Sequence, residues 1–167
     1  MNDIEDIWRE VFERHAAALV LYVRQWTETF ADAEDVVQDA FVKMIRKRVR
    51  PDDSSAYLFA AARNAAIDHH RNTARRRLRQ QSAAELRPWF ETVSTDNVDR
   101  ESIETALLTL PKSQREVVVL KIWGELTFAT IAEVLNVSPN TAASRYRYAI
   151  KALRKMLQGE LVAEEFQ

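Results

Sequence analysis

A chain of 167 residues, 47% apolar and with a net charge of −1, can bury one good core or two small ones. Its only glycines, Gly124 and Gly159, leave no glycine-rich phosphate loop, and the absence of cysteine excludes disulfides and thiolate-bound zinc. The acidic start MNDIEDIWRE lacks the basic flank of a secretory signal and no apolar run approaches a bilayer span, so a soluble, cytoplasmic chain without membrane insertion is expected.

The near-neutral total hides a strong sorting of charge. Residues 1–39 hold ten acids and three bases. Within them Ile4, Ile7, Trp8, Val11, Phe12, His15, Leu19, Tyr22, Val23 and Trp26 recur at spacings of three and four, which predicts one long helix with these side chains inward. His15 on that stripe reads as a packed core residue rather than a ligand. A second helix is predicted from near Asp32, whose carboxylate can cap, to about Arg48, with Val36, Val37, Ala40, Phe41, Met44 and Ile45 inward. Its other face carries Asp35, Gln38, Asp39 and Val42. Acids near a helix start are favoured by the dipole, but an apolar Val42 amid polar neighbours is also how a partner surface is built.

Arg50 to Ser55 reads as a loop, with Ser54 or Ser55 able to cap a third helix. The first half of that helix, AYLFAAARNAAI, is apolar on nearly every side and should be buried. Its second half, from Asp68 to Arg79, is polar and mostly arginine. Arg63 to Arg79 contains six arginines against Asp68 alone, and no alternation of sign at i and i+4 neutralises them, so a polyanion is the natural counter-charge. From Gln80 to about Asp99 no period is sustained, and the stretch reads as a linker that Trp89 and Phe90 could dock.

Ile103, Ala106, Leu107 and Leu110 predict a short helix, after which Pro111 opens another that runs through Val117, Val118, Leu120 and Ile122 to a cap at Gly124. The segment TFATIAEVLNVSPNTAASRYRYAIKALRKML then describes a helix-turn-helix. Thr127 caps its first helix, Leu126 and Ile131 staple the entry, and Asn136 ends it in the left-handed turn that asparagine tolerates. Ser138 caps the second helix and Pro139 takes its first position, where a missing N–H costs nothing. From Ser138 to Leu157 that helix carries Arg145, Arg147, Lys151, Arg154 and Lys155 without an acid, and Ala132, Ala142 and Ala143 allow close helix crossing. DNA is the expected partner. No segment shows strict strand alternation. The expected fold is all-α, with helical domains at 1–79 and 100–160, a linker at 80–99 and a tail at 161–167.

DAEDVVQDAFVKMI, AYLFAAARNAAIDHHR, LPKSQREVVVLK and TFATIAEVLNVSPNTAASR, in this order, resemble the bacterial extracytoplasmic-function sigma factors over nearly the whole chain. The resemblance implies an alternative sigma factor with two partners, core RNA polymerase and promoter DNA, and makes an anti-sigma factor a candidate third. Asp35, Gln38, Asp39 and Val42 map to the surface that grips the polymerase. Arg50, Ser54, Ser55, Asn64, Asp68 and Arg71 map to the element that holds flipped bases of the melted proximal promoter element, with Arg63, Arg75 and Arg76 for phosphates. In the terminal unit, Asn140, Thr141, Ser144, Arg145 and Tyr148 are base-edge candidates for the distal element, and Arg147, Lys151 and Arg154 meet the backbone.

Three departures from the family pattern are visible: Tyr57 stands where tryptophan is usual, Ala142 and Ala143 replace a valine and a basic residue, and Tyr148 replaces an arginine. The compact alternative class, without further domains, is expected. Two rival readings are a homodimeric helix-turn-helix regulator and an enzyme built on Asp68-His69-His70. Adjacent histidines on a helix point about 100° apart and cannot readily share a metal, so no catalytic residue, metal or cofactor is expected.

Overall fold

In the computed structural model the described residues are 3–50, 55–80 and 105–165. Pro51 to Ser54, most of the expected linker with Trp89 and Phe90, and Ile103 lie outside them. Every regular element among the described residues is a helix. They are α1 (Asp3–Val23), α2 (Phe30–Arg46), α3 (Ser55–Gln80), α4 (Lys112–Ile122), α5 (Phe128–Leu135) and α6 (Pro139–Glu165), with a further helical turn over 105–109.

α1, α2 and α3 pack on one another around Trp8, Leu19, Tyr22, Val37, Phe41, Met44 and Phe59. Phe41 meets Trp8 and Phe12 edge-on at 5.9 and 4.7 Å between ring centroids, the geometry that aromatic quadrupoles favour. His15 is half-buried and stands edge-on to Phe59, and burial followed by the neighbouring Arg14 charge lowers its pKa. The inward stripe is shorter than its periodicity suggests. Ile4 and Ile7 at the start of α1 are exposed, and Ile45 on α2 faces solvent as well. Trp26, beyond the end of α1, is buried as expected.

Helix α2 starts at a capping box: Thr29 accepts the Asp32 N–H at 3.1 Å while Asp32 accepts the Thr29 N–H at 3.3 Å. Thr29, not Asp32, is therefore the cap. The helix ends at Arg46, short of Arg48, which adopts φ 52 while the Val49 N–H returns to the Met44 carbonyl at 3.1 Å. Left-handed backbone at a non-glycine residue costs roughly 1–2 kcal/mol, and the recovered carbonyl bonds offset it.

The second half of the chain makes the same economy with glycine. Pro111 occupies the cap position ahead of α4, one residue before its first helical turn. At the other end Glu125, not Gly124, takes the left-handed conformation, φ 53. Gly124 is required for a different reason: a Cβ there would lie 2.6 Å from the Leu120 carbonyl oxygen. α5 runs from its Thr127 cap to a left-handed Asn136 at φ 53, ψ 51, and the Val137 N–H bonds back to Ala132 at 3.0 Å. α6 continues to Glu165, well past the expected end near Leu157 and into the segment expected to be a tail.

α4, α5 and α6 pack together around Leu120, Ile131, Ala142 and Ala149. The two helical groups are also in contact, α3 against α5 and α1 against α4, and their apolar residues form one continuous core. Helix α4 explains why. Glu116, Val117, Val118, Val119 and Leu120 are all buried, so this helix is covered on every side and needs neighbours from both groups.

Candidate nucleic-acid interfaces

The start of α6 is held by its own side chains. Thr141 donates its backbone N–H to the Ser138 hydroxyl, and Arg147 Nη2 donates to the Ser144 hydroxyl at 3.1 Å. Ala142 and Ala149 are fully buried, and Tyr146 stacks edge-on to Phe128 at 5.5 Å. That burial turns the opposite face outward. Asn140, Arg147, Tyr148, Lys151 and Arg154 are exposed, while Thr141, Ser144 and Arg145 are half-buried along its edge. Tyr148 is 67% exposed, a large apolar ring left open amid cations. Arg147, Lys151, Arg154 and Lys155 border a shallow groove along the same face. The face can accept a phosphate backbone along its length and base edges near its start.

The second cationic surface is on α3. Asn64, Asp68, Arg71 and Arg75 follow spacings of four, three and four, so they form one stripe, and all four are exposed. Arg76 is exposed beside them. Arg71, Arg75 and Arg76 have no ion-pair partner among the described residues. Buried alanines on the opposite side, Ala62 and Ala66, seat the helix and fix which way the stripe points. Arg50 is exposed at the start of the preceding loop, Ser55 is half-buried at the first turn of α3, and Ser54 is outside the described residues. Arg77 does not join this surface, because it pairs with Glu28 of the α1–α2 connection. No group of three or more His, Asp or Glu among the described residues could hold a metal ion.

Arg63 differs from the other candidates. It turns toward α4, where its Nε donates to Glu116 Oε1 at 2.7 Å, and the Tyr22 hydroxyl donates to the same oxygen at 2.9 Å. Burial acts against the Arg63 charge, but the Glu116 bond and charge outweigh it and its pKa is raised. Burial, reinforced by the Glu116 charge, raises the Tyr22 pKa well above its ordinary value. Lys112 lies over the Trp26 ring at 5.0 Å, and burial lowers its pKa. Sequence reasoning passed over Glu116. The available signal was an acid opening the run VVVL in a helix apolar on all sides, where a carboxylate must find a partner.

A third surface, on α2, is acidic. Asp35, Gln38, Asp39 and Val42 are all exposed, as their spacing requires. Ile45 extends them: at spacings of three and four from Asp35 through Gln38 and Val42, it is 42% exposed beside Val42 at 43%. The patch therefore has a larger apolar centre than periodicity suggested.

The chain matches Sigma-70 region 2 over residues 11–85 and Sigma-70 region 4 over residues 100–153. It is 32% identical over 160 residues to the ECF RNA polymerase sigma factor SigL of Mycobacterium tuberculosis, covering 91% of this chain and 89% of that one. Its fold is similar to that of the sigma factor RpoE solved in complex with the anti-sigma factor NepR from Bartonella quintana, with a TM-score of 0.77 at 21% identity over 95% of this chain and 98% of the other. It is also similar to CnrH, solved in complex with the cytosolic domain of CnrY, with a TM-score of 0.63 at 25% identity over 91% and 88%.

Proposed function

The chain belongs to the extracytoplasmic-function (ECF) RNA polymerase sigma factors, and on that premise we propose how its three surfaces divide the work of initiation. As an alternative sigma factor it binds core RNA polymerase and directs transcription initiation at promoter DNA. The α6 face reads the distal promoter element as duplex, with Asn140, Thr141, Ser144, Arg145 and Tyr148 at base edges and Arg147, Lys151 and Arg154 at phosphates. The α3 surface melts and holds the proximal element. Asn64, Asp68, Arg71 and the loop from Arg50 to Ser55 take unstacked bases of the non-template strand, and Arg63, Arg75 and Arg76 hold its backbone. The patch of Asp35, Gln38, Asp39, Val42 and Ile45 grips the polymerase. A cytoplasmic location goes with that work, and an anti-sigma factor that covers these surfaces is a further partner.

The observation that carries this reading is the α3 stripe, where Arg71 and Arg75, which like the neighbouring Arg76 have no ion-pair partner among the described residues, line up with a polar pair that can hydrogen-bond bases. Replacing Arg75 and Arg76 with alanine tests it. The variant holoenzyme should form, yet open complexes should be fewer on duplex promoter DNA and restored on a template with a pre-melted bubble. Equal losses on both templates would refute a role in melting.

A further inference from the structure

Glu116 is 4% exposed, and both donors to its carboxylate, Tyr22 and Arg63, come from the first helical group. Lys112, one turn earlier on α4, and Arg63 both sit on the Trp26 ring, at 5.0 and 5.9 Å. Beside its apolar contacts, the seam between the two groups thus holds a carboxylate set among cations and aromatic rings. Arg63 Nε can serve only one anion at a time. A phosphate arriving at the remaining N–H groups of Arg63 would meet the like charge of Glu116 on the same guanidinium, so the two compete for it.

We infer that Glu116 is a clasp that stands in for a DNA phosphate: in the free chain it holds the helix-turn-helix group against α1 and α3 and withholds Arg63, and promoter melting requires it to open. The inference rests on the reading of Arg63 as a contact to the melted strand. A buried ion pair suits such a clasp, because the desolvation of its charges cancels much of their attraction, giving a specific contact that another anion can displace. Separation of the groups leaves Glu116 to water and returns Arg63 to the side of α3 next to Asn64, where the exposed stripe begins.

The test uses the full-length chain, which has no cysteine of its own, so Glu34→Cys and Gln158→Cys can carry a donor and acceptor dye on the two groups. Glu116→Gln keeps the shape but removes the charge and should lower energy transfer in the free protein. It should also tighten binding of the free protein to a bubble duplex of arbitrary sequence, since phosphate contacts carry no sequence information. If about nine molecules in ten are clasped, the gain is about tenfold, the reciprocal of the competent fraction. Tyr22→Phe, which loses only the hydroxyl, should change both quantities in the same direction by less, and circular dichroism would show both variants folded. Unchanged energy transfer in folded Glu116→Gln overturns the clasp. Lower transfer without tighter bubble binding overturns the competition with DNA. If Arg63→Ala holoenzyme opens promoters normally while Glu116→Gln still lowers transfer, the assignment of Arg63 to DNA fails and the clasp between the two groups stands.

Discussion

Thr141 donates its backbone N–H to the Ser138 hydroxyl at 3.1 Å, and the two hydroxyl oxygens lie 2.9 Å apart. The cap that starts α6 therefore also holds the side chain proposed to meet a base edge. Ser138→Ala removes both contacts. It should cost about 1 kcal/mol in denaturant unfolding, the usual value of an N-cap, and should weaken holoenzyme binding to the preferred promoter more than to a scrambled one. A variant as stable as the parent with the same promoter preference would show that the cap does neither.

The exposed Ile45 makes the polymerase patch testable apart from the fold. Ile45→Ser should change unfolding free energy by no more than about 0.5 kcal/mol, as expected for a surface position, yet weaken binding to core polymerase. Asp39→Arg should weaken it too by placing like charge against a basic partner surface. Titration of labelled variants with core polymerase reads both. Unaltered affinity in folded variants would remove α2 from the polymerase interface.

Base and phosphate contacts on α6 leave different signatures. Arg145→Ala should cost holoenzyme about 1–3 kcal/mol at the preferred sequence and little elsewhere. Lys151→Ala should weaken all duplexes alike and reduce the slope of log affinity against log salt by about 0.9, the increment for one phosphate on duplex DNA. Promoter and scrambled duplexes compared over a salt series separate the two. Loss of sequence preference on removing Lys151, or none on removing Arg145, would reverse their roles.

Tyr22 should give the folded chain a sensitivity to alkali. Its pKa is raised above 10.0 in the folded state, so the unfolded chain releases the phenolic proton first. The stability contributed by neutral Tyr22 is complete below pH 10 and declines as pH rises above it. Lys112 acts the other way, because its pKa is lowered from 10.5 by burial, so a comparison with Tyr22→Phe is needed to isolate the phenol. Denaturant midpoints across that range should fall more steeply for the parent than for Tyr22→Phe, and parallel curves would contradict the buried phenol–carboxylate contact.

Local chemistry was legible where neighbours in sequence decide it. The Thr127 and Ser138 caps, the left-handed Asn136 and the outward faces of α2, α3 and α6 follow from spacing and turn residues, because each depends on contacts within a turn or two. Helix ends were less legible. Thr29 rather than Asp32 caps α2, and Glu125 rather than Gly124 turns left-handed, since more than one nearby residue can end a helix and the hydrogen bonds of the finished terminus select between them.

By itself the sequence determined an all-helical chain, the helix-turn-helix with its cationic face, the arginine stripe of α3 and the family to which they belong. Only the tertiary structure decided that Ile4, Ile7 and Ile45 face solvent and that Arg63 leaves its neighbours for Glu116. The periodicity of a helix states which residues share a face. It carries no information about which faces meet, and Tyr22, Arg63 and Glu116 are brought together from separations of 94 and 53 residues by the packing of α1 and α3 against the second helical group.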